Sequence, residues 1–210
     1  MRVGISLPSQ VAAGGSLADA VRICRSATRA ARALGYDGVL AGQHHLSDPY
    51  PYCSPIPLLA RLAADAGTMD LVAMDVLTLH NPVAVAEDLA TLAAGHEGRV
   101  VAAAALGYRE VELEAFGIDP SRRVARFTEA LGLLDRLLHE ETVEHHGAYF
   151  ELPSAANCSR APAERVPEIW VAASAGAGVR RAARLGYPWL MEPASRTSAL
   201  VDQRATYLEA

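Results

Sequence analysis

Short apolar runs and amphipathic stretches take turns along this chain six times, and strict alternation of that kind leaves few folds open. Residues 2–7 (RVGISL) read as a strand. Ser16 then begins a helix, with Asp19 three positions on in a capping-box arrangement that satisfies free backbone N–H groups. Leu17, Val21, Cys24, Ala27, Ala31 and Leu34 follow at helical spacing, and Gly35 suits a left-handed stop. Further strands are expected at 38–42, 71–79, 100–106, 168–173 and 187–191. Helices at 56–66, 82–94, 122–139 and 177–185 separate them, and a last helix starts near 197. Asn81-Pro82 supplies an N-cap followed by proline at the first helical position. The 122–139 helix has the clearest stripe, Val124, Phe127, Leu131, Leu134 and Leu138, and residues 140–166 read as an irregular arm.

Such alternation produces parallel strands covered by helices. An open dinucleotide-binding sheet would carry GxGxxG after its first strand, and SLPSQVAAGG fails that spacing. A (β/α) barrel keeps its function in the loops that follow strands. The unusual residues cluster there: His44 and His45, then His80 and Asn81, then Gly107, Tyr108 and Arg109, then Ser174 to Gly178. The expected fold is therefore α/β, an incomplete TIM-type barrel formed by residues 1–210 as a single domain. It would hold about six of eight strand–helix units, because a full barrel takes about 250 residues. Unpaired strand edges and an apolar interior need cover, so a homodimer or a partner subunit on the open edge is expected.

A net charge of −5 and a pI near 5.8 argue against nucleic acid or an anionic membrane as partner. No apolar run reaches the roughly 18 to 20 residues of a membrane helix, and the chain opens in a strand-like segment rather than a signal peptide. Cytoplasmic localisation is the expectation. Cys24, Cys53 and Cys158 are scattered without a CxxC pair, so neither a disulfide framework nor a zinc knuckle follows. Cys24 sits on a helical stripe and should be a buried thiol.

Four stretches carry candidate chemistry. In VAASAGAGVRRAARLG, a strand ends at Ser174 and small residues enter a helix, which makes either an anion site on free N–H groups or a tight turn. In AALGYRE, Gly107 permits close backbone approach, and Arg109 is either a forked cation for a ligand or an exposed side chain. Asp75 interrupts an apolar strand and must be paired, ligand-facing or protonated. His44 and His45 are neighbours in extended chain and point to opposite faces, so they cannot readily clip one metal. No HxxxH or HExxH motif is present, no metal is expected, and His145-His146 reads as surface. One of His44 and His45 facing the mouth as an acid, base or donor competes with a plain loop.

Taken together, GVLAGQHHL, LTLHNPVAVAEDLATL, GRVVAAAALGYREVELEAFGI, HHGAYFELP, PEIWVAASAGAGVRRAARLGYPWLM and DQRATYLEA resemble the bacterial luciferase-like flavin-dependent monooxygenases. That family also contains deazaflavin (F420)-dependent oxidoreductases. The resemblance runs in order along nearly the whole chain. It implies a barrel holding reduced FMN, or F420, at the strand C-terminal ends, a small organic substrate oxygenated with O2, and a flavin reductase as partner. By position, His44 matches the histidine of the family's EHH motif that acts near the flavin, and His45 matches its neighbour, so the two are the candidate catalytic residues. Ala73 and Met74 match the strand-3 bulge, often a non-proline cis peptide, that supports the flavin ring, and Asp75 falls beside the flavin. Leu106, Gly107 and Tyr108 match one phosphate-binding segment, and Ser174, Gly176 and Gly178 the other. The chain departs from the family at Gln43, usually glutamate, at Asp75, usually apolar, at AGHEGR in place of SGGR, and in lacking the last two units. Those departures make a non-catalytic flavin-binding protein of the same fold the alternative.

Overall fold

The computed structural model describes residues 2–152, the backbone of 153–156, and residues 159–191 and 195–210; Cys158 lies outside the described residues. Along the chain run β1 (Gly4–Ser6), α1 (Leu17–Ala33), β2 (Gly38–Gly42), α2 (Pro55–Ala66), β3 (Asp70–Val76), α3 (Pro82–Ala94), β4 (Val100–Ala105) and α4 (Glu110–Ala115). Then come α5 (Arg123–His139), β5 (Val143–His146), β6 (Glu151–Ala156), β7 (Glu168–Ala172), α6 (Gly176–Arg184), β8 (Trp189–Leu190) and α7 (Thr197–Glu209). Six strands pair in parallel in the order β1-β2-β3-β4-β7-β8 and curl into part of a barrel, with β1 and β8 at its open edges.

The pleat divides each strand between two surroundings. Val39, Ala41, Leu71, Ala73, Ala102, Ala104, Ile169 and Val171 enter the large core beneath the helices. Their alternates Val72, Val101 and Ala103, with Leu40, Met74, Trp170 and Leu190 packed against them, line the concave side. Buried on both faces, these strands read as unbroken apolar runs.

Helix ends follow their local signals. Ser16 Oγ accepts from Asp19 N at 3.1 Å, and Asn81 Oδ1 accepts from Val83 N at 2.9 Å. The stripe on α1 buries Cys24 and Ala31, but Leu17 at its first position and Leu34 at its C-cap are exposed. Val124, in the first turn of α5, is likewise exposed while Phe127, Leu131, Leu134 and Leu138 are buried.

Three stretches depart from the expected string. The strand expected at 71–79 ends at Val76, and Leu77–Leu79 form a 3-10 turn. Helix α4 occupies a stretch to which the sequence assigned no element. The arm at 140–166 contains an antiparallel hairpin, β5 with β6. Glu129 of α5 holds its loop by accepting from Ala148 N at 3.0 Å, Tyr149 N at 3.1 Å and Phe150 N at 2.9 Å, with His145 Nε2 3.1 Å away. Burial would raise the Glu129 carboxyl, but the hydrogen bonds from His145 and these amides outweigh it and hold it below the usual range. His145 is thus a half-buried partner rather than surface, and only His146 is exposed.

At the N-terminal end of the strands, Asp70 accepts from Arg2 at 2.6 Å and from Arg99 at 2.7 Å, and Arg99 also reaches Glu168 at 2.8 Å. This charged floor ties β3, β4 and β7 at the end away from the loops that carry the candidate residues. No helix among the described residues is long and apolar enough to cross a membrane. Because Asp70 is nearly buried, Arg99→Ala should lower stability by about 1–3 kcal/mol, read as a reduced urea midpoint with an unchanged m value.

Candidate functional site

The mouth is assembled where β2, β3, β4 and β7 end. Ser9 Oγ donates to Gly42 O at 2.9 Å and pins the close of β2. Beyond it, the side chains of His44 and His45 part company, as extended backbone requires.

His44 turns toward α4. Its Nδ1 lies 3.1 Å from Glu112 Oε1, and its ring stands edge-on to Tyr52 and Tyr108, with centroids 5.7 and 5.5 Å away. Glu112 is 1% exposed, and the same Oε1 accepts from His45 N at 2.7 Å and Arg109 at 3.1 Å. With Nδ1–H engaged by a carboxylate, the free nitrogen is Nε2, which has no partner among the described residues. Arg109 also donates to His45 O at 2.6 Å and Leu46 O at 3.2 Å. Leu46 has φ +48°, unusual for a branched residue, and this clamp secures it. Arg109 is therefore a brace inside the protein, not the exposed or ligand-seeking cation that its loop position suggested. Glu112 and Tyr52 carry no sequence signal. In EVELEA, nothing separates Glu112 from the exposed Glu110 and Glu114.

His45 turns the other way. Its ring packs against Phe116 and His80, with centroids 4.8 and 5.8 Å off, and its Nε2 lies 3.2 Å from Gln43 Nε2. Gln43 Nε2 also donates to Asp75 Oδ1 at 2.9 Å. Burial, reinforced by Asp88, pushes the Asp75 carboxyl up to about 6. Burial also holds His45 and His80 below the ordinary histidine range. The histidine pair forms no chelate, and no metal-ligating cluster occurs among the described residues.

Of the three β3 residues, only Met74 faces the concave side. Ala73 is in the helix-side core, and Asp75, two residues on, shares its face. The ladder from Ala73 to Ala41 and Ala102 is regular, and the cis peptide among the described residues is Asp48–Pro49. The expected bulge with a cis peptide at Ala73–Met74 is therefore not present. Strand pairing on both sides holds this stretch in ordinary extended geometry.

Both expected phosphate turns lie at the mouth. Gly107 has φ +79°, and a Cβ there would run into the side chain of Val76. Thr78 Oγ1 donates to Leu106 O at 2.7 Å, while Tyr108 is exposed. Helix α6 begins at Gly176 with Ala175, not Ser174, as its N-cap and with no side-chain cap hydrogen bond. The N–H groups of Gly176 and Ala177 have no partner among the described residues. A Cβ on Gly178 would approach Ala173 to 2.9 Å. Ser174 is exposed, and its carbonyl accepts from Gln203 Nε2 at 2.6 Å.

A family model described as luciferase-like monooxygenase matches residues 1–210. An F420-dependent glucose-6-phosphate dehydrogenase from Intrasporangium calvum is 29% identical over 183 residues, covering 82% of this chain and 54% of that protein. A phthiodiolone/phenolphthiodiolone dimycocerosates ketoreductase from Mycobacterium kansasii is 33% identical over 136 residues, covering 62% of this chain and 37% of that protein. The chain thus spans about half or less of the length of the curated relatives it matches. Among solved structures, the oxygenating constituent of 3,6-diketocamphane monooxygenase from Pseudomonas putida, in complex with FMN, shares the fold. Its TM-score is 0.85 at 18% identity, over 100% of this chain and 61% of that one.

The raised Asp75 carboxyl sets a stability signature. Near pH 4 it is protonated in the folded chain; as pH climbs toward 6 the unfolded chain releases its proton first, which weakens folding. The penalty is complete above about pH 6. Asp75→Asn should therefore stabilise the protein at pH 7, by up to about 3 kcal/mol, and change little near pH 4. Thermal melts at the two pH values check this.

Proposed function

The chain belongs to the luciferase-like monooxygenase family, and we propose that it binds reduced FMN at the C-terminal mouth of its strands and oxygenates a small organic substrate with O2. The observation that carries this reading is His44, braced at Nδ1 by buried Glu112 with Nε2 free, at the same mouth as two turns suited to a phosphate.

The residues fit such a cofactor. A cradle that a Cβ would fill at Gly107, and the uncovered N–H groups of Gly176 and Ala177, suit a phosphate. The exposed Ser174 hydroxyl adds a donor. Met74, Ala103 and Trp170 offer an apolar wall that keeps water from the reacting groups. Reduced flavin supplies the electrons that let O2 react with an organic molecule. His44 holds or moves a proton at Nε2, and Glu112 keeps the ring oriented and stabilises the cation that forms. Tyr52 and Tyr108 restrict the ring from either side. A flavin reductase supplying the reduced cofactor, a homodimer or partner subunit against the open edges β1 and β8, and a cytoplasmic setting belong to the same reading.

A second reading replaces FMN with F420 and oxygenation with hydride transfer. It is favoured by the F420-dependent relative, whose match covers 82% of this chain.

Anaerobic titration with reduced FMN and with reduced F420, followed by O2, separates the two. We expect FMN to bind and substrate oxygenation to follow. Tight binding of F420 alone would transfer the protein to the second reading. Gly107→Ala, strained by about 1–3 kcal/mol, should weaken binding about tenfold or more. His44→Ala should retain binding but slow oxygenation about 10²–10³-fold; an unchanged rate would remove His44 from the chemistry.

A further inference from the structure

Gln43 is 9% exposed, and its carboxamide sits between two groups that titrate. Its Nε2 lies 2.9 Å from Asp75 Oδ1 and 3.2 Å from His45 Nε2. An amide nitrogen donates two hydrogens and accepts none. With one hydrogen given to the Asp75 carboxylate, the other meets His45 Nε2. That nitrogen must then be bare, with the imidazole proton on Nδ1.

We propose that Asp75, acting through the Gln43 amide, is a positioning residue that keeps His45 a neutral imidazole protonated on Nδ1. What this does for turnover rests on reading the mouth as a flavin monooxygenase site; the positioning itself does not.

The device has a second arrangement. Half a turn of the amide would set Oε1 against both neighbours, and that requires a proton on the Asp75 carboxyl and another on His45 Nε2. The two protonations are therefore linked through a neutral side chain, and an ionised Asp75 disfavours a charged His45. Direct Coulomb attraction would act in the opposite sense, since a carboxylate stabilises a nearby imidazolium.

Other groups bear on the pair without touching the amide. Asp88 of α3 acts on Asp75 and on His80. Glu112 of α4 favours the cation on His45, and His44 opposes it. His80, with a buried Nε2 that has no partner among the described residues, packs 5.8 Å away and is itself held below the ordinary histidine range by burial. None of these contributions depends on Gln43, so variants at 43 and 75 isolate the amide's part.

The test is long-range ¹H–¹⁵N correlation of the imidazoles in cofactor-free protein, with His45 assigned by His45→Gln, between about pH 5 and 8. At pH 7 we expect the Nδ1–H tautomer of His45. Asp75→Asn should raise its protonation midpoint by about half to one pH unit, because an amide at 75 can donate as well as accept and so frees Gln43 to turn. Gln43→Ala, which deletes the donor, should shift the midpoint the same way. A fall in the midpoint in Asp75→Asn, as direct charge attraction dictates, or an Nε2–H tautomer at pH 7, would overturn the proposal. Where Asp75→Asn does not fold, a midpoint in Gln43→Ala that falls or stays put does so instead. Since no flavin is used, failure to bind FMN would sink the oxygenase reading and leave this result standing, and the converse also holds.

Discussion

A carboxylate taken out of water holds the mouth together. Glu112 is buried, and burial of a carboxylate is tolerated only where donors meet it; here they converge on Oε1, while Oε2 has no partner among the described residues. The donors come from two loops: Arg109 at the entry to α4, and His44 with the His45 amide after β2. Where those groups meet, the end of β2 and the end of β4 become one structure. Arg109 extends the join by capturing the carbonyls of His45 and Leu46. The loop after β3 is tied in from the other side, through Thr78 to Leu106 and Arg126 to Thr78. A site built this way owes its geometry to backbone acceptors and one buried charge, rather than to flexible surface side chains.

The strand pleat decides what each group in this mouth can reach. Met74, Ala103 and Trp170 share the concave side, where an apolar wall faces the barrel interior. Ala73 and Asp75 lie on the helix side, so the end of β3 presents different groups to its two faces. Asp75 groups there with Gln43, His45 and His80.

Much of this was legible in the residues, and the exceptions have physical reasons. Strands and helices were readable wherever an element buries a continuous apolar face, as in β3, β4 and α5. Asp75 declared itself because a carboxylate in an apolar run needs a partner, although its partner proved to be Gln43. Helix α4 and the β5–β6 hairpin escaped notice because their stability is tertiary: six glutamate-rich residues anchored through Glu112, and a loop held by Glu129. Glu112 itself looked like its neighbours, since burial and not identity distinguishes it. Arg109 was visible as a cation, but nothing local could show that its donors turn inward. The mouth as a place was therefore predictable, while the brace that orders it was not.

The Arg109 clamp carries one more implication. Because α4 and the histidine turn share it, the position of His44 is tied to the position of that helix. Val111 and Phe116, on or beside α4, are exposed. The placing of the imidazole therefore depends on how α4 is seated, and Phe116, which ends that stretch, packs directly against the ring of His45.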